Sequence, residues 1–538
     1  AAAARALPPR PAPVTRQFVL AKPAEAAPAA AVAPAQPAAS EPAPVAEAAA
    51  GTPHQDVAAI LAARFAAAGP DTLDGDVAQY YALRGNAPVW TQAEGLTPEG
   101  RAVVERLARA EEDGLDARDF AVPGLEAFGA GSTPEQAAQI EIGLSGAILA
   151  YAHQAMNGRV DPAGISKNIV AEVKPVDAAL AIASVAIAAD PAAALDAFNP
   201  VHPQYLALKR KLAELRGQDQ LEAEAAPPLV PDGPTLKPGM SDQRVALLRS
   251  RLGVTTMTDS DVYDDALVEA VRSFQRERRL KANGLVGPMT VAALNGGGKP
   301  RISMEHEIIA NMERWRWLPR ALGQSNVFVN VPEYRLVVTM DGEPIHESRV
   351  IVGKPNTPTP VFSDTMEFVV LNPSWYVPQS IIKKEYLPKL ANDPDYLARK
   401  GFVVTYRGNQ MSVRQPPGDD NALGHVKFMF PNKFSVYLHD TSTRHLFASD
   451  KRAFSHGCVR VDNPYKFAEI VMGAENGWTE EKVRDSVGGR ERRVDLQRKL
   501  PVHITYFTAI ASDTGDVSQF DDIYGYDRAV LAALGLSG

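Results

Sequence analysis

Cysteine is nearly absent from this chain: its 538 residues contain one, Cys458. A single thiol excludes an intrachain disulfide, and it cannot by itself provide a closed thiolate metal site. A protein outside the cytoplasm that kept one catalytic thiol would have the same count. The cysteine count therefore leaves the cellular compartment open.

Long apolar runs are also missing, and the longest candidate, residues 178–189, is a short Ala-rich stretch, so no membrane-spanning helix is predicted. The chain also lacks an excess of positive charge. Its 56 Lys and Arg stand against 64 Asp and Glu, which argues against nucleic acid as the main partner. The sequence opens on AAAARALPPR without Met or a signal-peptide pattern, and we expect that a leader or anchor was removed.

What is present is enough chain for several domains, because single hydrophobic cores stop growing at about 250–300 residues. Residues 1–50 contain 22 Ala and 10 Pro. This composition cannot bury enough apolar surface to offset chain entropy, and frequent proline favours extended stretches. We predict that residues 1–54 are a disordered Ala/Pro-rich tether, with an untethered disordered tail as the alternative.

Residues 55–224 carry apolar side chains at the spacings of three and four that indicate amphipathic helices. Thr97 and Thr133 are each followed by Pro and Glu, the order expected where a hydroxyl caps the first turn of a helix. These features predict a helical domain.

Residues 225–300 are predicted to be a Pro-rich linker followed by a compact three-helix unit. The side chains placed to close its core are Val245, Leu248, Leu252, Ala270, Val271, Phe274 and Leu280. The segment SFQRERRLKANGLVGPMTVAALN resembles the peptidoglycan-binding three-helix module, with Asn283 where Asp is more usual. The resemblance implies glycan binding, and the alternative is that these residues only hold three helices together.

In residues 301–515 the periodicity changes from helical to alternating, with runs rich in Val, Ile, Phe and Tyr that predict a mostly antiparallel β domain. The alternation is lost over about residues 373–434. An insertion of this length in a β domain is more often functional than passive, and we predict a largely helical cap. Residues 516–538 are predicted to be a tail or a helix.

The segment FSHGCVRVDN places polar and flexible residues around the lone thiol. A cysteine nucleophile needs a base or positive charge to form thiolate, and amide donors for the oxyanion that follows. Gly457 permits an unusual backbone angle, so the amides of residues 456–458 can converge on one oxygen. Arg460 shares a strand face with Cys458 and can favour the thiolate or orient a substrate carboxylate.

The base must come from elsewhere in the chain, and the nearby candidates are His425, His439, His445 and His456. We choose His439, because VYLHD ends a predicted strand whose alternation points Tyr437 and His439 to one face. His425 lies in a predicted loop. His456 flanks the thiol in a tight turn, where its backbone amide is the more available group.

Two other interpretations of Cys458 compete with catalysis. Most free cysteines are small buried hydrophobes. A zinc site could in principle be formed by Cys458 with His439, His445 and His456, but these spacings fit no compact ligand pair of the usual kind.

The segment HDTSTRHLFASDKRAFSHGCVRVDNP resembles the active site of the L,D-transpeptidases, whose YkuD-type catalytic domain has a His followed about twenty residues later by S-H-G-C-x-R. Here His439 stands nineteen residues before Cys458. The segments RQPPGDDNALGHVKFMFPN, YYALRGNAPVW and NGRVDP resemble large Gram-negative members. The resemblance implies a multidomain α+β protein with a helical scaffold domain, a three-helix peptidoglycan-binding module and a mostly antiparallel β catalytic domain with a helical capping insertion.

By position, the resemblance implies that Cys458 is the acyl acceptor and His439 its base. The implied oxyanion hole consists of the backbone amides of His456, Gly457 and Cys458. The residues implied to bind substrate are Arg460, Ser455, Tyr437 and Trp375, although the two aromatics would need no special role if they were core residues. No metal or organic cofactor is implied.

The reaction implied for the family is a 3→3 crosslink between meso-diaminopimelate residues of peptidoglycan stems, formed through a cysteinyl thioester with release of D-alanine and sensitive to carbapenems. The implied partners are tetrapeptide stems and glycan strands, with other wall-synthesis enzymes as further candidates, and the implied location is the periplasm. Two rival functions stay open at this point. Water or another protein's amine could be the acceptor, and the chain could be a wall-binding scaffold with a silent catalytic domain.

Overall fold

The computed structural model describes residues 53–69, 72–225, 230–231, 233–255, 260–277, 280–294, 303–408, 410–512 and 514–536. The predicted tether, 1–54, lies outside these residues except for its last two, which begin the first helix. One compact unit extends to Lys209 and resumes at Ala310, and a second extends from Arg210 to Ile309. In the described residues, no helix combines the length and apolarity needed to cross a membrane.

The first part of the chain is helical, as predicted. Its helices are α1 (Pro53–Ala67), α2 (Leu73–Ala82), α3 (Pro98–Leu107), α4 (Pro134–Asn157), α5 (Pro162–Ile165), α6 (Ala178–Ala186), α7 (Pro191–Asp196) and α8 (Pro203–Ala225). Two short strands, β1 (Thr91–Gln92) and β2 (Gly95–Leu96), form a hairpin. Both predicted caps are confirmed: Thr97 accepts from the amide of Gly100, and Thr133 forms a reciprocal capping box with Gln136.

The second compact unit contains α9 (Arg244–Arg251), α10 (Asp265–Glu277) and α11 (Pro288–Leu294). Val245, Leu248 and Val271 lie in its buried core, and Leu252 and Phe274 pack against that core. The three-helix unit predicted from the sequence is therefore present.

The rest of the chain combines one large sheet with short helices. The helices are α12 (Met304–Arg316), α13 (Gln379–Ile381), α14 (Leu387–Asn392), α15 (Tyr396–Arg399), α16 (Pro464–Met472), α17 (Glu480–Asp485) and α18 (Tyr526–Ala533). The strands are β3 (Asn326–Asn330), β4 (Arg335–Met340), β5 (Glu343–Gly353), β6 (Phe362–Leu371), β7 (Trp375–Tyr376), β8 (Val403–Arg407), β9 (Gln410–Gln415), β10 (Val426–Met429), β11 (Leu438–His439), β12 (Ala453–Ser455), β13 (Val459–Val461), β14 (Arg492–Thr505), β15 (Ala509–Ala511) and β16 (Val517–Gln519).

The main sheet has nine strands in the order β12-β5-β13-β11-β10-β6-β14-β3-β4, and β4 also pairs with β5. This additional pairing joins β4 back to β5 and closes the sheet on itself, while β12 pairs only with β5 in the described residues and forms an edge. Three pairs are parallel, β11 with β13, β12 with β5 and β14 with β3, and the other pairs in this sheet are antiparallel. The α+β class and the mostly antiparallel β region are confirmed.

The predicted helical cap differs from the observed insertion in two ways. It contains a three-stranded sheet, β7-β9-β8, in addition to α13, α14, α15 and a π-helical turn at Ile382–Tyr386. Its predicted end at residue 434 is too late, because β10 belongs to the main sheet between β6 and β11. The strand was missed because it is only four residues long and follows a Pro- and Gly-rich loop. The remaining domain boundaries stay predictions, and the predicted C-terminal segment contains α18.

Buried polar contacts hold the helical region against α12 within the first compact unit. The Arg316 side chain donates to the carbonyl of Asp113 at 2.6 Å and to the hydroxyl of Tyr205 at 3.0 Å. The amide of Val160 donates to the Glu313 carboxylate at 2.9 Å. Because hydrogen bonds between buried groups are costly to break one at a time, these contacts favour a fixed arrangement of helices and sheet.

His202 is a buried histidine in the same packing. Its ring lies against Trp315 with centroids 4.9 Å apart, and its Nε2 is 3.2 Å from the carbonyl oxygen of Pro319. Burial lowers the pKa of His202 to about 4. The unfolded chain therefore takes up a proton at a higher pH than the folded protein does, and stability should fall as the pH drops from about 6.5 towards 4.

We predict that His202→Gln makes this loss of stability shallower, by up to about 1.4 kcal/mol per pH unit within that window. Urea unfolding at a series of pH values measures the change. His153→Gln is the matched control, because His153 is exposed. An unchanged pH dependence in the His202 variant, relative to wild type, would contradict the assignment.

Candidate active site

Strands β10, β11 and β13 lie side by side and place a set of polar side chains on one face. Paired residues in neighbouring strands point to the same side of a sheet, and alternate residues along a strand point to opposite sides. Leu438 pairs with Val459, and His439 pairs with both Arg460 and Lys427. Phe428, Leu438 and Val459 thus share the apolar face. The opposite face carries Lys427, Tyr437, His439, Cys458 and Arg460.

The register fixes which of these side chains are direct neighbours. The amide of Val459 donates to the carbonyl of Tyr437 at 3.1 Å, one step before the pairing of Leu438 with Val459, so Tyr437 stands opposite Cys458. His439 lies diagonally across the strand pair from Cys458, and diagonal neighbours remain within reach of long side chains. The rings of Tyr437 and His439 are 5.6 Å apart between centroids. The structure therefore brings together the predicted thiol, base, aromatic and arginine.

The turn between β12 and β13 is held by the hydroxyl of Ser455. This hydroxyl donates to the carbonyl of Cys458 at 2.6 Å and accepts from the amide of Gly457 at 3.1 Å. Gly457 has φ +116, a backbone conformation that residues other than glycine rarely adopt. The expected substrate contact of Ser455 stays a prediction, and the contacts seen here are those of a residue that shapes the turn.

The predicted oxyanion donors are consequently not equivalent. The amide of Gly457 is occupied by Ser455 Oγ. Among the described residues, the amides of His456 and Cys458 have no hydrogen-bond acceptor. Two of the three predicted donors are therefore free to bind an oxygen that carries negative charge.

His439 is 4% exposed, and its Nδ1 is 2.5 Å from the carbonyl oxygen of Asp440. A carbonyl oxygen can only accept, so Nδ1 carries the proton and the lone pair lies on Nε2. Burial, together with the nearby charge of Arg460, lowers the pKa of His439 to about 3. The imidazole is therefore neutral near pH 7 and is able to accept a proton at Nε2.

Cys458 is partly exposed at the mouth of the turn. Burial of the thiol raises the pKa of Cys458. Four groups act in the opposite direction and lower it: the amide and hydroxyl of Tyr437 and the charges of Lys427 and Arg460. The thiol thus sits among groups that each favour the thiolate, in an environment that opposes charge.

Two of the residues around the thiol were not anticipated from the sequence. Lys427 lies on the site face, and its Nζ is 3.8 Å from the centroid of the Tyr437 ring. The buried Asp440 provides the carbonyl for His439, while its carboxylate accepts from the amide of His425 and from Arg444. The alternation of apolar and polar residues in Val426–Met429 could have indicated Lys427. The polar pair His439 and Asp440 at the end of a strand could have indicated Asp440.

Two other residues considered in the sequence lie outside β10, β11 and β13, and the substrate contact expected of Trp375 stays a prediction. Trp375 belongs to the small core of the insertion, where its ring meets Phe402 edge to face at 6.2 Å between centroids. His445 lies in a short 3-10 helix and is exposed. Within the described parts of the chain, no group of three or more His, Cys, Asp or Glu side chains is arranged to hold a metal ion.

The His456 side chain contacts the insertion. Its Nε2 lies 2.6 Å from a carboxylate oxygen of Glu385, in the π-helical turn Ile382–Tyr386. This contact connects the insertion directly to the turn that carries the thiol.

Comparison with known families agrees with this arrangement. Residues 324–491 match the family described as "L,D-transpeptidase catalytic domain", and residues 75–212 match the "Scaffold domain". Residues 248–294 match the family described as "Putative peptidoglycan binding domain". The first match contains the thiol, the histidine and the insertion.

A Haemophilus influenzae protein described as "Putative L,D-transpeptidase" is 35% identical over 249 residues. The alignment covers 43% of this chain and half of the Haemophilus protein. Among solved structures, an L,D-transpeptidase from Xylanimonas cellulosilytica is 16% identical, with 52% of this chain and 99% of that one covered at a TM-score of 0.16. L,D-transpeptidase 3 from Mycobacterium tuberculosis is 13% identical, and the match covers 34% of this chain and 60% of that one at a TM-score of 0.19. At these TM-scores neither likeness supports a structural argument. Residues 324–491 therefore match a YkuD-type L,D-transpeptidase catalytic domain, and two further segments match a scaffold domain and a peptidoglycan-binding domain, in a chain that spans half the length of its Haemophilus relative.

Proposed function

We propose that this protein crosslinks peptidoglycan by L,D-transpeptidation, with Cys458 as the nucleophile. The observation that carries the proposal is the pairing of β11 with β13, which puts Tyr437, His439, Cys458 and Arg460 on one face. An acyl transfer needs a nucleophile, a base and an oxyanion site within reach of one carbonyl. Cys458, His439 and the amides of His456 and Cys458 are our candidates for these roles, and the match of residues 248–294 to a peptidoglycan-binding family supports the substrate class.

In the first step the Cys458 sulfur attacks the carbonyl carbon between meso-diaminopimelate and the terminal D-alanine of a tetrapeptide stem. The thiol proton passes to Nε2 of His439, while the proton on Nδ1 stays there and remains hydrogen-bonded to the carbonyl oxygen of Asp440. The tetrahedral oxyanion is received by the free amides of His456 and Cys458. When the C–N bond breaks, His439 gives this proton to the leaving amine and D-alanine is released. The remaining tripeptide is then joined to Cys458 as a thioester.

In the second step a side-chain amine of diaminopimelate on another stem attacks the thioester. His439 takes the amine's proton, the C–S bond breaks, and the sulfur recovers a proton as the 3→3 crosslink forms. A carbapenem presents a strained carbonyl to the same thiol, so we expect it to acylate Cys458. This substrate places the active protein in the periplasm, where glycan strands and stems are its partners.

The neutral state of His439 fits this mechanism better than a preformed thiolate–imidazolium pair does. Because the pKa of His439 lies near 3, an imidazolium forms only while charge develops on the substrate. Proton transfer is then coupled to attack, and the buried site avoids the desolvation cost of holding two charges at rest.

We predict that Cys458→Ala lowers crosslinking by at least about a thousandfold, since the nucleophile is lost, while the fold is kept because the thiol is small and partly exposed. Incubation with disaccharide-tetrapeptide and mass spectrometry of the products measures dimer formation. Thermal unfolding of the variant, compared with wild type, checks the fold. Dimers formed at the wild-type rate by the Ala variant would show that another residue is the nucleophile.

We further propose that the insertion acts as a lid, because Glu385 joins it to His456 beside the thiol. A closed lid keeps water from the thioester and so favours the amine acceptor. We predict that Glu385→Ala raises the ratio of hydrolysed tripeptide to dimer severalfold, since a hydrogen bond of this kind contributes about 1 kcal/mol.

The matched control for the lid is Asp393→Ala, which breaks the Arg399–Asp393 ion pair within the same insertion. The same product analysis is used for both variants. A ratio that stays at the wild-type value in Glu385→Ala, or that rises equally in the control, would count against a specific role for the contact with His456.

A further inference from the structure

Lys427 is a cation in an unusual position. It is half-buried on β10, and no carboxylate among the described residues forms a salt bridge with it. Its ammonium instead lies over the face of the Tyr437 ring, 3.8 Å from the centroid, which is a favourable cation–π geometry. Burying a charge without an ionic partner costs stability, so this arrangement calls for a compensating role.

The surroundings of Lys427 place it close to one potential anion. Tyr437, whose ring carries the ammonium, stands opposite Cys458 in the β11–β13 pair. Burial lowers the pKa of Lys427, and a negative charge on Cys458 would raise it. The ammonium and a thiolate at residue 458 therefore stabilise each other across the Tyr437 ring.

Other charged and titratable groups lie near this cation, and Arg460 is a second positive charge that favours the thiolate. His439, which pairs with Lys427 in the sheet, is neutral for the reason given above. Arg460 is engaged through Nη1 with the Thr443 hydroxyl at 2.9 Å. Glu491 also attracts the ammonium, but its carboxylate accepts from the amide of Ser374 at 2.8 Å.

We propose that Lys427 is a positioning residue for the nucleophile: its ammonium, seated on the Tyr437 ring, provides a positive charge that makes Cys458 ionise more readily. The inference rests on the proposed role of Cys458 as the nucleophile and adds a determinant that the sequence motif around the thiol does not contain. Lysine suits this position because a compact ammonium fits over the ring, whereas a methionine of similar length would fill the space without the charge.

The experiment uses the fact that the chain has one cysteine, so alkylation by iodoacetamide reports on Cys458 alone. The alkylation rate at residue 458 is measured between pH 6 and 11 for wild type, Lys427→Met and Lys427→Arg by mass spectrometry of the peptide that contains the cysteine, which separates thiol alkylation from reaction at amines. We expect the midpoint of the profile to rise by about one pH unit in the Met variant, a tenfold lower rate below the midpoint, and to stay near wild type in the Arg variant.

Lys433→Met is the matched control, since Lys433 is exposed and lies over a neighbouring aromatic ring, with Nζ 5.3 Å from the centroid of Phe434. A midpoint unchanged in Lys427→Met, or raised equally by Lys433→Met, would overturn the proposal. If Lys427→Met failed to fold, loss of the wild-type midpoint in the charge-retaining Lys427→Arg variant would equally overturn it. Alkylation requires no peptidoglycan, so this result is independent of whether the protein forms crosslinks.

Discussion

The parallel pairing of β11 with β13 is the constraint on which the site depends. The two strands are separated in the chain by a 3-10 helix and by β12, yet their register sets His439 beside Arg460 and Tyr437 beside Cys458. Because side chains alternate along a strand, a slip of one residue would turn all of these groups to the apolar face. The closed main sheet prevents such a slip, since β11 and β13 each have a neighbour on both sides.

The electrostatics of the face that carries Cys458 follow from the partial burial of its polar groups. Burial keeps the imidazole of His439 neutral and raises the pKa of the Cys458 thiol. Two cations, an aromatic ring and unoccupied backbone amides offset that cost only when negative charge appears on sulfur or on a bound carbonyl. The free protein thereby avoids an isolated buried anion, and the groups that would stabilise one are already in position before substrate arrives.

Strand alternation was sufficient to predict that Tyr437 shares a face with His439 and that Arg460 shares one with Cys458, because each pair depends on local spacing. That the two pairs meet depends on the pairing of β11 with β13, which was implied only by the resemblance to the L,D-transpeptidases. Lys427 escaped prediction because its strand is four residues long and its partners come from β11. The contact of His456 with Glu385 is tertiary and depends on how the insertion folds back. The sequence did not predict that the Gly457 amide is occupied, because this depends on the direction of the Ser455 hydroxyl, which accepts from that amide.

The most direct test of the central claim is to trap the acyl-enzyme. A tetrapeptide donor whose side-chain amine is acetylated cannot serve as acceptor, so the covalent intermediate should accumulate and survive an acid quench. Peptide mapping by mass spectrometry is predicted to place the donor's tripeptide, without D-alanine, on the sulfur of Cys458. Acylation of a different side chain, or release of D-alanine with no covalent intermediate at any time point, would contradict the account.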